Sequence, residues 1–176
     1  MAGHNKWSKI KRQKASTDAA KSKIFSKMAK LISTASKQVK GDVTSPVLRA
    51  AIEKAREFNM PADNIERAVK KGSGTDAESL EATTYEAYGP GGSALVIEAL
   101  TTNRNKAAQE VKFILSKNGF ALAAPGSATW AFKKENQEWI PNLTVPLSSE
   151  DEQILEKLIE ELEDNEEVQE VYTNAE

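Results

Sequence analysis

A chain of 176 residues with a net charge of −2 and no cysteine can fill one domain or two small ones, and it excludes disulfides and thiolate metal sites. The near-neutral total hides a segregation of charge: residues 1–74 carry 17 Lys/Arg against 6 Asp/Glu (+11), residues 75–134 carry 6 of each, and residues 135–176 carry 1 against 14 (−13). No apolar run reaches the ~20 residues of a membrane span, no secretory signal core follows the first charges, and the N-terminal cations are mostly lysines rather than the arginines of a mitochondrial presequence. A soluble protein of the reducing cytoplasm is expected.

The first forty residues hold eleven Lys/Arg and one acid, Asp18. Residues 4–14 have neither helical nor strand periodicity and read as a basic arm. A helix is predicted from Thr17-Asp18, whose side chains can cap free N–H groups, to about Lys40, with Gly41-Asp42 as its stop. At about 100° per residue, Ile24, Phe25, Met28, Leu31, Ile32, Ala35 and Val39 share one arc, and Lys23, Lys27, Lys30 and Lys37 take the opposite side. Ser45-Pro46 signals a second helix, with Val47, Leu48, Ala51, Ile52 and Ala55 at helical spacing before Phe58-Asn59. Pro61 opens a third, carrying Ile65, Ala68 and Val69, with Gly72 as its left-handed stop after Lys70-Lys71. Three such helices make a basic bundle.

Residues 72–77 have linker composition and coincide with the change in charge, which divides the chain into residues 1–74, the basic arm plus three-helix bundle, and residues 75–176. Beyond the boundary, residues 83–88 and 94–101 read as strands joined by Gly89-Pro90-Gly91-Gly92, and residues 105–118 as a helix closed by Gly119. Residues 127–132 are a strand candidate with Ala128, Trp130 and Phe132 on one face, and residues 133–138 a polar turn. Residues 140–147, with Pro141 and Pro146, suit an extended edge. Ser148 or Ser149 caps a helix over about 150–165, with Ile154, Leu155, Leu158, Ile159 and Leu162 as its buried stripe, before a last strand at 168–172. The predicted fold class is α+β: the bundle followed by a two-layer sandwich with a mostly antiparallel sheet and an acidic C-terminal part.

The chemistry points to polyanions. Lys6, Lys9, Lys11, Arg12, Lys14, Lys23, Lys27 and Lys30, with Lys70 and Lys71, can neutralise phosphates through counterion release, and the excess of Lys over Arg favours backbone contacts over base reading. Trp7 either stacks on an unpaired base or folds back to anchor the arm. Gly89-Pro90-Gly91-Gly92 lacks the Gly-Lys-Ser/Thr ending of a phosphate loop and reads as a turn. Residues 102–105 sit where a strand gives way to a helix N-terminus; Arg104 could hold a phosphate there, although plain capping is the expected role. The acids from Glu150 to Glu170 are expected to solvate the last helix, or to turn that part of the protein away from nucleic acid and toward a protein partner. The lone His4, the missing Cys and the lack of a ligand cluster lead to the expectation of no catalytic residue, metal or cofactor.

Several stretches carry a resemblance. Met1-Ala2-Gly3-His4-Asn5-Lys6-Trp7-Ser8-Lys9-Ile10-Lys11 resembles the opening of the YebC/PmpR family, which includes the mitochondrial translational activators of cytochrome c oxidase. Asn59-Met60-Pro61, Ile65-Glu66-Arg67-Ala68, Tyr85-Glu86-Ala87-Tyr88-Gly89-Pro90-Gly91-Gly92, Thr101-Thr102-Asn103-Arg104-Asn105 and Val168-Gln169-Glu170-Val171-Tyr172 follow in the family's order. Members are usually longer, with a third domain inserted where this sequence has only residues 134–138. The resemblance implies a cytoplasmic, non-enzymatic protein facing nucleic acid. It would act as a DNA-binding transcriptional regulator, or as a ribosome-associated translation factor binding rRNA or tRNA.

Overall fold

The computed structural model describes residues 17–176 as two compact units that meet in sequence between Leu80 and Glu81. Lys6, Trp7, Lys9, Lys11, Arg12 and Lys14 lie outside the described residues.

In the first unit, α1 (Asp18–Gln38), α2 (Pro46–Glu57) and α3 (Ala62–Ser73) pack around Met28, Ile32, Leu48, Ile52, Ala55, Met60 and Ile65, all buried. The Thr17 hydroxyl caps α1 by accepting the Ala20 N–H at 3.2 Å. Gly41 ends the same helix as its position predicts, with φ of 80° and its N–H returning to the Ser36 carbonyl at 2.9 Å.

Gly72, in contrast, is not a helix stop. It lies in the last turn of α3, is absent from the left-handed region, and is buried against α1, where an added Cβ would sit 2.2 Å from the Ser33 carbonyl oxygen and 2.7 Å from Ser36 Cβ. The hydroxyls of Ser33 and Ser36 donate across the crossing to the Ala68 and Val69 carbonyls at 3.1 and 2.7 Å. The glycine is there for close approach, not for backbone freedom. Downstream, the Lys37 ammonium donates to the Ala77 and Glu78 carbonyls and the Ser79 hydroxyl at 3.2, 3.3 and 3.2 Å. Gly72 and Ser73 thus belong to the last turn of α3, the chain at residues 77–79 is held by Lys37, and Lys37 is engaged internally.

The second unit runs β1 (Glu81–Tyr88), β2 (Ala94–Thr101), α4 (Arg104–Lys117), β3 (Leu122–Ala123), β4 (Phe132–Glu135), β5 (Glu138–Pro141), α5 (Ser149–Asp164) and β6 (Val168–Thr173). Its sheet has the order β3-β1-β2-β6 with every pair antiparallel, and the β1–β2 register runs from Glu81 opposite Thr101 to Tyr88 opposite Ala94. On one face α4 and α5 bring Val111, Leu115, Leu155, Leu158 and Leu162 against Leu95, Ile97 and Val171. On the other, Ala94, Val96 and Tyr172 meet Ala128, Ala131, Phe132 and Trp139. This is the α+β class and mostly antiparallel sheet that the sequence predicts, with a β4–β5 hairpin added on the second face. That hairpin turns at Asn136 and Gln137, whose φ values of 48° and 70° suit a tight two-residue turn. The extended run predicted to Leu147 pairs only as far as Pro141; beyond it Val145 makes an isolated parallel bridge to Ala175.

Residues 127–132 depart from the predicted strand. The buried Glu86 carboxylate on β1 accepts the backbone N–H groups of Gly126, Ala128 and Thr129 at 2.5, 3.0 and 2.6 Å, so these donors are lost to any ladder and Thr129–Ala131 coils into a short 3₁₀ turn. Ala128 and Phe132 are buried but Trp130 is turned outward, its indole N–H donating to the Tyr88 hydroxyl at 2.9 Å. The acidic C-terminal stretch also differs from a uniformly solvated face. Glu167 and Glu170 are buried; Glu167 accepts from Lys106 at 3.3 Å, and Glu170 lies opposite Glu98 in the β2–β6 register.

Two expectations follow from these contacts. Gly72→Ala must force the α1 backbone away, and should lower stability to urea by about 3 kcal/mol; an unchanged midpoint would show that the crossing can yield. For Glu86, burial pushes the carboxyl up, but its hydrogen bonds to Gly126, Thr129 and Ala128 outweigh that and hold it below the ordinary value of 4.5. A carboxyl depressed in the folded state stabilises fully above 4.5 and loses that contribution as pH falls through the lowered native value. Thermal melts of wild type and Glu86→Gln should therefore differ most near neutrality and converge in acid, and a pH-independent gap would contradict the ionised clamp.

Candidate nucleic-acid interface

The lysines of α1 do not form one solvent stripe. Lys23 is exposed and Lys30 half-buried, but Lys27 is only 6 % exposed. Its position explains why: it lies three residues after Ile24 and four before Leu31, so it neighbours both on the helix surface and flanks the packing arc instead of opposing it. Lys27 is therefore packed against the flank of the helix and already has an interaction of its own.

Between α1 and α3 runs a groove of about 500 Å³ whose described lining belongs to the helical unit and includes Ala77, Glu78 and Leu80. Its apolar surface comes from Phe25, Ala29, Met60, Ala68 and Leu80, and its cations are Lys30, Arg67 and Lys71. Ser22 and Ser26, one turn apart, present hydroxyls along α1. Those of Ser33 and Thr34 are committed to the carbonyls of Ala68 and Lys30.

Burial of Ile65 and Ala68 fixes the rotation of α3 and leaves Asn64, Arg67 and Lys71 along the groove. The Arg67 guanidinium is oriented on its own helix, donating from Nε to the Asp63 carbonyl at 3.4 Å and from Nη2 to the Asn64 side-chain oxygen. Lys70 and Lys71 thereby separate in role. Lys70 is paired with Glu66 at 3.1 Å, whereas Lys71 lines the groove and has no ion pair among the described residues. Arg67 is the residue that charge counting misses; its signal is the four-residue spacing to Lys71, matched on α1 by Ser22 and Ser26.

Arg104 belongs to the second unit and is spoken for. Its Nε lies 2.5 Å from the Glu81 carboxylate, while Asn103 caps α4 by accepting the Lys106 N–H at 3.1 Å. The helix start is thus capped internally, as the plain reading of residues 102–105 expects. Gly89-Pro90-Gly91-Gly92 is a turn whose Gly89 N–H bonds the Ser93 carbonyl at 2.8 Å.

These features define a two-unit α+β protein whose helical unit carries a cation-lined groove. The chain belongs to the TACO1/YebC family: residues 5–75 match the TACO1/YebC protein N-terminal domain, and residues 80–137 and 133–175 match the TACO1/YebC second and third domain. The break between the latter two pieces falls in the β4–β5 hairpin. A protein of Fervidobacterium nodosum named "Probable transcriptional regulatory protein" is 53% identical over 137 residues, covering 77% of this chain and 54% of that relative, so the chain spans about half of its length. A relative of the same description from Caldanaerobacter subterraneus subsp. tengcongensis is 36% identical over 239 aligned positions, covering 100% of this chain and 98% of its own. The crystal structure of a conserved hypothetical protein from Aquifex aeolicus superposes with a TM-score of 0.76 at 29% identity, covering 90% of this chain and 91% of that one.

Proposed function

We propose that this protein is a nucleic-acid-binding regulator of gene expression that holds phosphate backbones through its basic helical unit. The observation that carries the reading is the convergence of Lys30, Arg67 and Lys71 on one groove of a segment with a net charge of +11. Cations brought together in this way attract a polyanion and release its counterions. Lysine predominates, so the contacts position the nucleic acid without reading its sequence. The names of the relatives support transcriptional control on DNA. The protein works in the cytoplasm by binding rather than by catalysis and without a cofactor, and its acidic C-terminal part is a surface for a protein partner.

A second reading, a ribosome-associated translation factor on rRNA or tRNA, is favoured by the groove itself. About 500 Å³ between two helices suits a single nucleotide and not a duplex, and unpaired nucleotides are chiefly a property of folded RNA. Gel-shift titration of the purified chain with duplex DNA and with a ribosomal RNA fragment is expected to give binding at low salt, weakened several-fold by Lys23→Glu with Lys71→Glu. Absence of binding to both would refute the nucleic-acid reading. Sucrose-gradient sedimentation of cell extract with and without RNase separates its two forms: RNase-sensitive migration with ribosomal fractions is the translational outcome, and absence from those fractions the transcriptional one.

A further inference from the structure

We infer that the α1–α3 groove is a receptor for one unpaired nucleotide, its base lying on the apolar floor and its phosphate held between Arg67 and Lys71; this rests on the nucleic-acid reading above and specifies what part of the polymer is gripped. The groove combines the two surfaces that a nucleotide presents. Phe25, Ala29, Met60 and Leu80 offer an apolar floor for a base, with the Phe25 ring able to meet its π face. Arg67 and Lys71 stand one helical turn apart on the wall, where their charges converge on a single phosphate. The volume, about 500 Å³, falls within the range of small-ligand sites and is far too small for a double helix.

The distribution of charge on α3 argues for an anion at this place. On the outer side of the helix Lys70 is satisfied by Glu66, whereas the side chains of Arg67 and Lys71 face the groove without a carboxylate partner among the described residues. Arg67 is also pre-oriented by the Asp63 carbonyl and the Asn64 side chain, which reduces the ordering cost when its remaining N–H groups take a phosphate. Glu78 also lines the groove, and its carboxylate is suited to accept from an exocyclic amine or a ribose hydroxyl. Ser22 and Ser26 add hydroxyl donors along the opposite wall. An apolar peptide would leave these cations and hydroxyls unmatched.

The test uses the full chain and three probes with equal numbers of phosphates: a single-stranded RNA, a single-stranded DNA and a duplex DNA, with 2-aminopurine as the reporting base. Wild type should change the fluorescence of the analogue when it is unpaired and bind the single strands more tightly than the duplex. Ser26→Phe, which fills the groove from an exposed helical position, should lower the single-strand to duplex affinity ratio about tenfold. Arg67→Gln with Lys71→Gln should do the same without steric change, so the inference does not depend on one variant folding. A stronger effect on RNA than on DNA would assign a role to the ribose hydroxyl, and equal effects would assign the site to the base and phosphate alone. If both variants keep the wild-type ratio while still binding nucleic acid, the groove assignment is overturned and the broader reading survives. If wild type binds none of the probes, both fall.

Discussion

The crossing of α1 and α3 is the constraint on which the helical unit depends. Two helices packed through ordinary side chains lie 8–10 Å apart, and closer approach requires small residues at the contact. Gly72, Ser33 and Ser36 supply them, and the two serine hydroxyls reach backbone carbonyls of the facing helix. The groove runs along this same pair of helices, with Ser33 and Ala68 of the crossing among its lining residues. Lys37 then ties residues 77–79 back onto α1, which brings Ala77 and Glu78 to the groove.

The second unit uses a buried charge for a comparable purpose. Glu86 gathers three backbone N–H groups from the loop that precedes β4, and that loop delivers Ala128, Ala131 and Phe132 to the sheet face opposite the helices. A carboxylate accepting several backbone donors is worth more than a neutral acceptor would be in the same place, because each bond is charge-assisted. The β4–β5 hairpin continues from it and covers Val96 and Tyr172, and the Trp139 indole N–H donates to Glu98 at 2.5 Å.

Much of this was legible in the sequence wherever a single element carried its own period. The three basic helices, the β1–β2 hairpin, α4, α5 and β6 are each amphipathic or alternating over enough residues to identify themselves, and the start and stop signals at Thr17, Gly41, Asn103 and Ser148 act locally. Features decided by a distant partner were not legible. Gly72 reads as a helix stop until Ser33 is placed beside it, and residues 127–132 alternate like a strand until Glu86, some forty residues earlier, takes their donors. The charge of the first 74 residues points to a polyanion as partner, but not to which cations share a groove. Lys27 is drawn into the packed flank, Lys70 is paired with Glu66, and Arg67 enters the groove because the burial of Ile65 and Ala68 turns it there.

The central claim is that this charge is used to hold phosphates, and the dependence of affinity on salt tests it most directly. Titration of duplex and single-stranded oligonucleotides across a series of salt concentrations gives the number of counterions released. For about six neutralised phosphates, the logarithm of the affinity should fall against the logarithm of salt with a slope of roughly −5 on duplex and −4 on single strands. Replacement of Lys9, Lys11, Arg12 and Lys14 by Ala should make the slope shallower. An affinity indifferent to salt, or a slope unchanged by those replacements and by the loss of Lys71, would contradict the account.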